Sequence, residues 1–129
     1  MRKFILAMLL VATSGSAGAE WTQVGASDAS IVYADLATIS KSGNIAKMWH
    51  LLTFNTVQSR PYGLPYWSQK MRQEYDCAGA RERTLEFLHY SENMGQGDVT
   101  HSDAEPGDWK PVLPGTPGAV RLELACSKR

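Results

Sequence analysis

Long hydrophobic runs and an excess of charge of either sign are both missing from this sequence. The longest apolar run near the N-terminus covers residues 4–12, whereas a membrane-spanning helix needs about 20 apolar residues. Basic and acidic residues number 13 each, and setting aside Arg2 and Lys3 with the first 19 residues leaves 11 basic against 13 acidic. Nucleic acids select clustered Lys and Arg. We therefore expect neither a membrane span nor a nucleic-acid partner.

Recognisable catalytic motifs are also absent. The chain has no GxSxG, HExxH or CxxC sequence, and each of these would indicate a known reaction chemistry. Gly95-Gln96-Gly97 is a GxG sequence, but we predict that it lies in a hairpin turn rather than between a parallel strand and a helix. Ser68, Ser91 and Ser102 have no acidic or histidine partner at motif spacing. The sequence thus predicts a non-enzymatic protein without a catalytic cofactor.

The N-terminus has the layout of a secretory signal peptide. Two basic residues precede the apolar run, and small residues follow it up to Ala19. We predict a signal peptide over residues 1–19, cleavage between Ala19 and Glu20, and one domain over residues 20–129. Because that domain would begin with Glu20 rather than a cysteine, we expect no lipid anchor. The protein is predicted to be exported, either to the periplasm or out of the cell, and surface display stays open.

Cysteine is scarce, and the two present are Cys77 and Cys126. In an exported domain, two cysteines most simply form one disulfide, because the compartment is oxidising. Such a bond would stabilise the fold by about 4 kcal/mol on the chain-entropy relation. A redox or metal-binding role for the pair is the alternative, but the CxxC spacing typical of it is missing.

Alternation of apolar and polar residues predicts a mostly β domain. Residues 69–77 alternate strictly, which indicates a half-buried strand with one charged, solvated face. Residues 45–54 are apolar on both faces, so we expect a central strand covered on each side. Further strands are predicted at residues 21–24, 30–33, 98–101 and 109–112, and after a turn at 78–79 up to residue 90.

The C-terminal segment satisfies two conflicting rules. Apolar residues recur at every second position from Val120 to Cys126, as they do in a strand. Thr116 followed by Pro117 is, in contrast, typical of the start of a helix. From these residues alone, helix and strand are equally supported.

Two histidines are predicted to face each other. Folding the chain as a hairpin about Gly95 places His89 opposite His101, where cross-strand neighbours lie about 5 Å apart. Our hypothesis is that this pair forms a weak metal or haem site. The alternative is that both are ordinary surface polar residues, and a register slip of one residue would send the rings to opposite faces.

The connection predicted at residues 55–65 is polar, contains two prolines and is longer than a hairpin requires. Arg60, Tyr62, Tyr66 and Trp67 crowd in and beside it. Arginine and amphipathic aromatics are enriched in protein interfaces, so we consider these four residues a candidate protein-binding loop. Alternatively, Trp67 begins the next strand and packs inward.

Short stretches spread along the chain resemble the surface-adhesin protein E-like family of small exported bacterial domains. In chain order they are WTQVG (21–25), YAD (33–35), GNI (43–45), MW (48–49), EYDC (74–77), YS (90–91), NMGQG (93–97), WKPV (109–112), PGT (114–116) and AC (125–126). Each stretch is weak by itself, and the ordered series is fairly specific.

The resemblance implies an α+β fold that is mainly β: an antiparallel sheet of about six strands with a C-terminal helix packed on one face and tied to it by the disulfide. It favours the helix over residues 120–126. It also implies adhesion to host extracellular-matrix or serum proteins, with haem binding and homodimer formation attributed to the family as well. Since no lipid anchor is expected here, a periplasmic structural or accessory role without surface display is the alternative.

Overall fold

The computed structural model describes residues 20–128 of the chain. The predicted signal peptide and its cleavage after Ala19 concern residues 1–19, which lie outside the described residues. Within the described range, no helix is both long enough and apolar enough to span a membrane.

Six strands form one antiparallel sheet in which neighbours in sequence are neighbours in space. In chain order they are β1 (Thr22–Ala26), β2 (Ser30–Ser42), β3 (Ile45–Gln58), β4 (Tyr66–Asp76), β5 (Arg81–Tyr90) and β6 (Val99–Asp103). A two-residue strand, β7 (Lys110–Pro111), pairs with the start of β5. The strands are followed by the one α-helix among residues 20–128, α1 (Pro117–Cys126). The mainly β fold of about six strands with a C-terminal helix is therefore confirmed.

The turn between β2 and β3 illustrates why the chain reverses where it does. Ser42 pairs with Ile45, which leaves only Gly43 and Asn44 to make the reversal. Gly43 has a φ of +60°, a conformation that glycine adopts without the steric cost that a Cβ atom brings.

Thr116 caps the N-terminus of helix α1, which begins at Pro117. The Thr116 side chain accepts a hydrogen bond from the backbone N–H of Ala119 at 3.3 Å, and Pro117 occupies the first turn. The conflict over the C-terminal segment is thus resolved in favour of the helix. Burial follows a helical period, because Ala125 is fully buried while Leu122 and Cys126 are partly buried against the same core.

The core lies between α1 and one face of the sheet, which we call the helix face. Its buried members are Ala34, Ile39, Ala46, Met48, Tyr75 and Ala125. The disulfide between Cys77 and Cys126 joins the end of α1 to the residue that follows β4, with the two Cα atoms 5.8 Å apart. The predicted pairing of the two cysteines, and with it the tie between helix and sheet, is confirmed.

The opposite face of β3 is covered by the segment between β5 and β6, which was predicted only as a turn. This segment contains a 3-10 turn at Asn93–Gly95 that folds back onto the sheet. Thr53 Oγ1 accepts hydrogen bonds from the Asn93 side chain at 2.9 Å and from Met94 N at 3.2 Å. Ser68 Oγ accepts from Gly95 N at 2.8 Å. The expectation that β3 is central and covered on both faces is therefore confirmed.

Several details of the strand prediction are wrong. Strand β2 continues past residue 33 to Ser42, and the strand predicted at 109–112 is only Lys110–Pro111. The connection predicted at residues 55–65 is shorter, because β3 runs on to Gln58 and only residues 59–65 join it to β4. The charged face of β4 is not uniformly solvated, since Glu74 is only 8% exposed. The Arg83 guanidinium donates to Glu74 at 3.1 Å and lies 4.7 Å from the centre of the Trp109 ring. The ion pair and the aromatic cover together bury this carboxylate.

Candidate functional site

The loop joining β3 to β4 exposes an aromatic side chain at its tip. Tyr62 is 88% exposed and Leu64 is 62% exposed, while Val57, at the end of β3, is 49% exposed. Large apolar side chains at this level of exposure are unusual when they cluster. Arg60 folds back towards Gly63, where its Nη1 would lie 3.6 Å from a Cβ atom at that position.

The four residues predicted as a binding loop lie in two neighbouring segments of the chain. Arg60 and Tyr62 lie in the loop, whereas Tyr66 and Trp67 are the first two residues of β4. Tyr66 is half-buried and stacks on His89, with ring centres 3.7 Å apart and planes 16° apart. Trp67 is half-buried beside Asn93, whose side chain donates to the Trp67 carbonyl at 3.4 Å. Within the loop, Tyr62 and Leu64 are therefore the exposed large side chains. Tyr66 lies where the loop ends and β4 begins.

His89 and His101 are directly opposite each other in the β5–β6 pair, so the predicted register is confirmed. Their ring centres are 5.5 Å apart. Burial, with smaller contributions from the His101 and Arg60 charges, lowers the pKa of His89 to about 4. His89 is therefore neutral at physiological pH, which is the form that binds metals. Among residues 20–128, no group of three or more His, Cys, Asp or Glu side chains is arranged to hold a metal ion.

A third candidate feature, the buried residue His50, was not identified in the sequence analysis. His50 is fully buried in the central strand β3, and neither ring nitrogen has a hydrogen-bond partner among the described residues. Burial, with a smaller contribution from the Arg121 charge, lowers the pKa of His50 to about 3. A histidine among the apolar residues that alternate on one face of residues 46–54 is the signal that could have pointed to it.

His50 lines a cavity of about 710 Å³ between α1 and the helix face. Arg121 and Glu123 reach the same cavity from α1. The Arg121 side chain is only 13% exposed, and its Nη2 atom lies 3.9 Å from a Glu82 oxygen. The cavity thus combines an apolar wall with a neutral imidazole and a guanidinium.

Comparison with known proteins identifies the fold and the family. Three crystal structures of Haemophilus influenzae protein E are similar to this chain, each at 14% sequence identity. Crystal form II gives a TM-score of 0.60 and covers 82% of this chain and 96% of that one. The selenomethionine form gives 0.60 with 85% and 95% covered, and a further structure gives 0.55 with 81% and 93% covered. No curated protein sequence gives a significant match.

At 14% identity the structural likeness shows the fold alone. The assignment to a family comes from the sequence profile described as Surface-adhesin protein E, which matches residues 21–127. This range contains every strand, the helix and both cysteines. The chain therefore belongs to the surface-adhesin protein E family.

Proposed function

We propose that this protein is an exported, non-enzymatic binding module that engages host extracellular-matrix or serum proteins through the tip of the β3–β4 loop. The observation that carries the proposal is the exposure of Tyr62 and Leu64 at that tip. A tyrosine supplies a large contact area and loses little conformational freedom on binding, so it is a common anchor in protein interfaces. The family membership and the disulfide both fit an exported protein.

Binding is tested with the purified protein on immobilised basement-membrane extract and on immobilised whole serum. Tyr62→Ala and Leu64→Ala should each lower binding by about tenfold, which corresponds to roughly 1.4 kcal/mol at an interface anchor. Leu113→Ala is the matched control, because Leu113 is also 62% exposed. Leu113 follows β7, which pairs with the start of β5, whereas the β3–β4 loop lies at the other end of β5.

Equal binding by the wild type and both loop variants would overturn the role of the loop. Loss of binding in the Leu113 variant as well would indicate a nonspecific surface effect and would count against it equally.

Adhesion also requires that the protein reach the surface. Protease treatment of intact bacteria, followed by fractionation, measures this directly. Degradation of the protein in intact cells supports the adhesin function. Confinement to the periplasm would exclude adhesion and would favour a structural or accessory role there.

A second candidate function is weak metal or haem binding by His89 and His101. It is supported by their direct pairing and by the 5.5 Å separation of their rings. Zinc and haem are each titrated into the wild type, His89→Ala and His101→Ala. Either single variant should remove the binding, and identical titration curves for all three proteins would exclude the pair as a ligand site.

A further inference from the structure

The cavity between α1 and the helix face has the size of a small-molecule site. Its volume of about 710 Å³ falls inside the range of about 300–1,000 Å³ that is usual for such sites. It lies under the N-terminal part of the helix and is bounded below by β1, β2, β3 and β4. This position is separate from the loop and from the histidine pair described above.

Most of the cavity wall is apolar. Eight of its lining residues carry only hydrocarbon or thioether side chains: Val24, Ala26, Val32, Leu52, Met71, Pro117, Ala119 and Val120. Val120 is 47% exposed and so marks the open side. A hydrocarbon chain entering here would remove this apolar surface from water, which favours binding.

At the bottom of the cavity lies His50, a polar side chain that has no hydrogen-bond partner among the described residues. His50 is fully buried, and both of its ring nitrogens are without a hydrogen-bond partner among residues 20–128. A neutral imidazole offers one donor and one acceptor. A buried polar group that lacks a partner is destabilising, and a polar atom of a ligand that reaches it would supply the missing hydrogen bond.

Arg121 places a positive charge beside His50 in this cavity. The Arg121 side chain is 13% exposed, and its contact with Glu82 is 3.9 Å long, which is beyond hydrogen-bonding distance. Arg121 Nε is buried and has no partner within the described part of the chain. A guanidinium binds a carboxylate through charge-assisted hydrogen bonds, which are about twice as strong as neutral ones. Glu123, the acidic residue lining the cavity, is exposed at its rim.

We propose that this cavity binds an amphiphile with a carboxylate head group, such as a medium-chain fatty acid. The head group lies between Arg121 and His50, and the hydrocarbon chain lies along the apolar wall. Because this site shares no residue with the β3–β4 loop, the fate of the adhesin proposal does not affect it.

The proposal is tested by isothermal titration calorimetry of the purified protein with decanoate and with 1-decanol, which share a chain length and differ in the head group. The wild type should bind decanoate saturably at one site, and more tightly than decanol. Arg121→Gln should weaken decanoate binding by about tenfold or more, as expected for loss of a charged hydrogen bond, and should change decanol binding far less.

Arg72→Gln is the matched control, since Arg72 also forms an ion pair, with Glu86 at 3.2 Å, but does not line the cavity. It should bind decanoate like the wild type. Ala119→Phe should fill the cavity from the helix side and abolish binding of both ligands, with thermal unfolding confirming that the fold is kept.

Three results would each overturn the proposal. They are the absence of saturable binding of decanoate to the wild type, equal affinity for decanoate and decanol, and unchanged binding in a folded Ala119→Phe variant.

Discussion

The disulfide between Cys77 and Cys126 holds the C-terminal helix on the sheet, and replacing both cysteines by serine tests how much this contributes. The cysteines are 49 residues apart, and the chain-entropy relation assigns about 4 kcal/mol at 25 °C to a loop of that length. A domain with a free energy of unfolding of about 5–15 kcal/mol would lose a large share of it. At about 4 °C for each kcal/mol, the melting temperature should fall by roughly 15 °C.

The remaining structure should loosen first in α1. The helix has ten residues, fewer than the roughly 12–15 at which an isolated helix becomes marginally stable. It therefore depends on packing, chiefly of the fully buried Ala125 in the core that it shares with Ile39 and Met48. Without the covalent tie, we expect the amides of α1 to exchange with solvent through a local opening that leaves β3 folded.

Thermal unfolding followed by circular dichroism measures the first effect, and hydrogen exchange measures the second. The wild type reduced with a thiol is the control and should melt together with the double serine variant. An unchanged melting temperature, or α1 amides that stay as protected as those of β3 in the variant, would refute this account of the disulfide.

Three further predictions concern stability. His50→Leu should raise the free energy of unfolding by about 1–3 kcal/mol, measured by urea unfolding, because it removes a buried polar group that lacks a partner. Thr116→Ala should lower it by about 1 kcal/mol, because the side chain of Thr116 caps α1 through Ala119 N. Acidification from pH 7.5 to 4.5 should progressively lower the free energy of unfolding. The folded-state pKa values of His50 and His89, about 3 and about 4, lie below the unfolded value of about 6.5, so the unfolded state binds more protons in this window.

Each of these three predictions has a control or a result that would contradict it. Destabilisation by His50→Leu would mean that the imidazole does have a partner. Thr116→Ser keeps the capping oxygen and should behave like the wild type, and equal losses for Ser and Ala would exclude capping. The pKa of Asp76 is lowered chiefly by its hydrogen bond from Arg81 and also by that from Gly79 N. Its contribution to stability is lost mainly as the pH falls through the usual value of 3.8 and below, so Asp76 adds little to the change between pH 7.5 and 4.5. A pH dependence that is not shallower in His50→Leu would contradict the role given to this histidine.

The β-strands could be predicted because their signal is local. A strand alternates inward and outward side chains, so residues 45–54 and 69–77 indicate strands without knowledge of their neighbours. The pairing of His89 with His101 was accessible for a similar reason, because the connection between β5 and β6 is short and restricts the register. Where β3 ended was not accessible, since three of residues 55–58 are polar and the pairing of Gln58 with Tyr66 that extends the strand is not visible in the sequence.

The features that the sequence analysis missed depend on contacts between residues that are far apart in the sequence. Asn93 covers the sheet through Thr53, 40 residues away, and nothing near Asn93 indicates this. Glu74 is buried where it pairs with Arg83, whose guanidinium lies against the Trp109 ring. His50 was overlooked because only the packing of α1 makes its position a fully buried one lining a cavity.

The sequence by itself determined that this is a mainly β domain with a disulfide and without enzyme motifs, because alternation, turn residues and cysteine count act through neighbours along the chain. Only the tertiary structure decided that Val120 to Cys126 is helical, that Tyr62 stands exposed at a loop tip, and that His50 faces a cavity beside Arg121. These depend on which surfaces meet when α1 docks on the sheet. Burial and the electrostatic surroundings of a group are properties of the packed molecule, and no stretch of residues carries them alone.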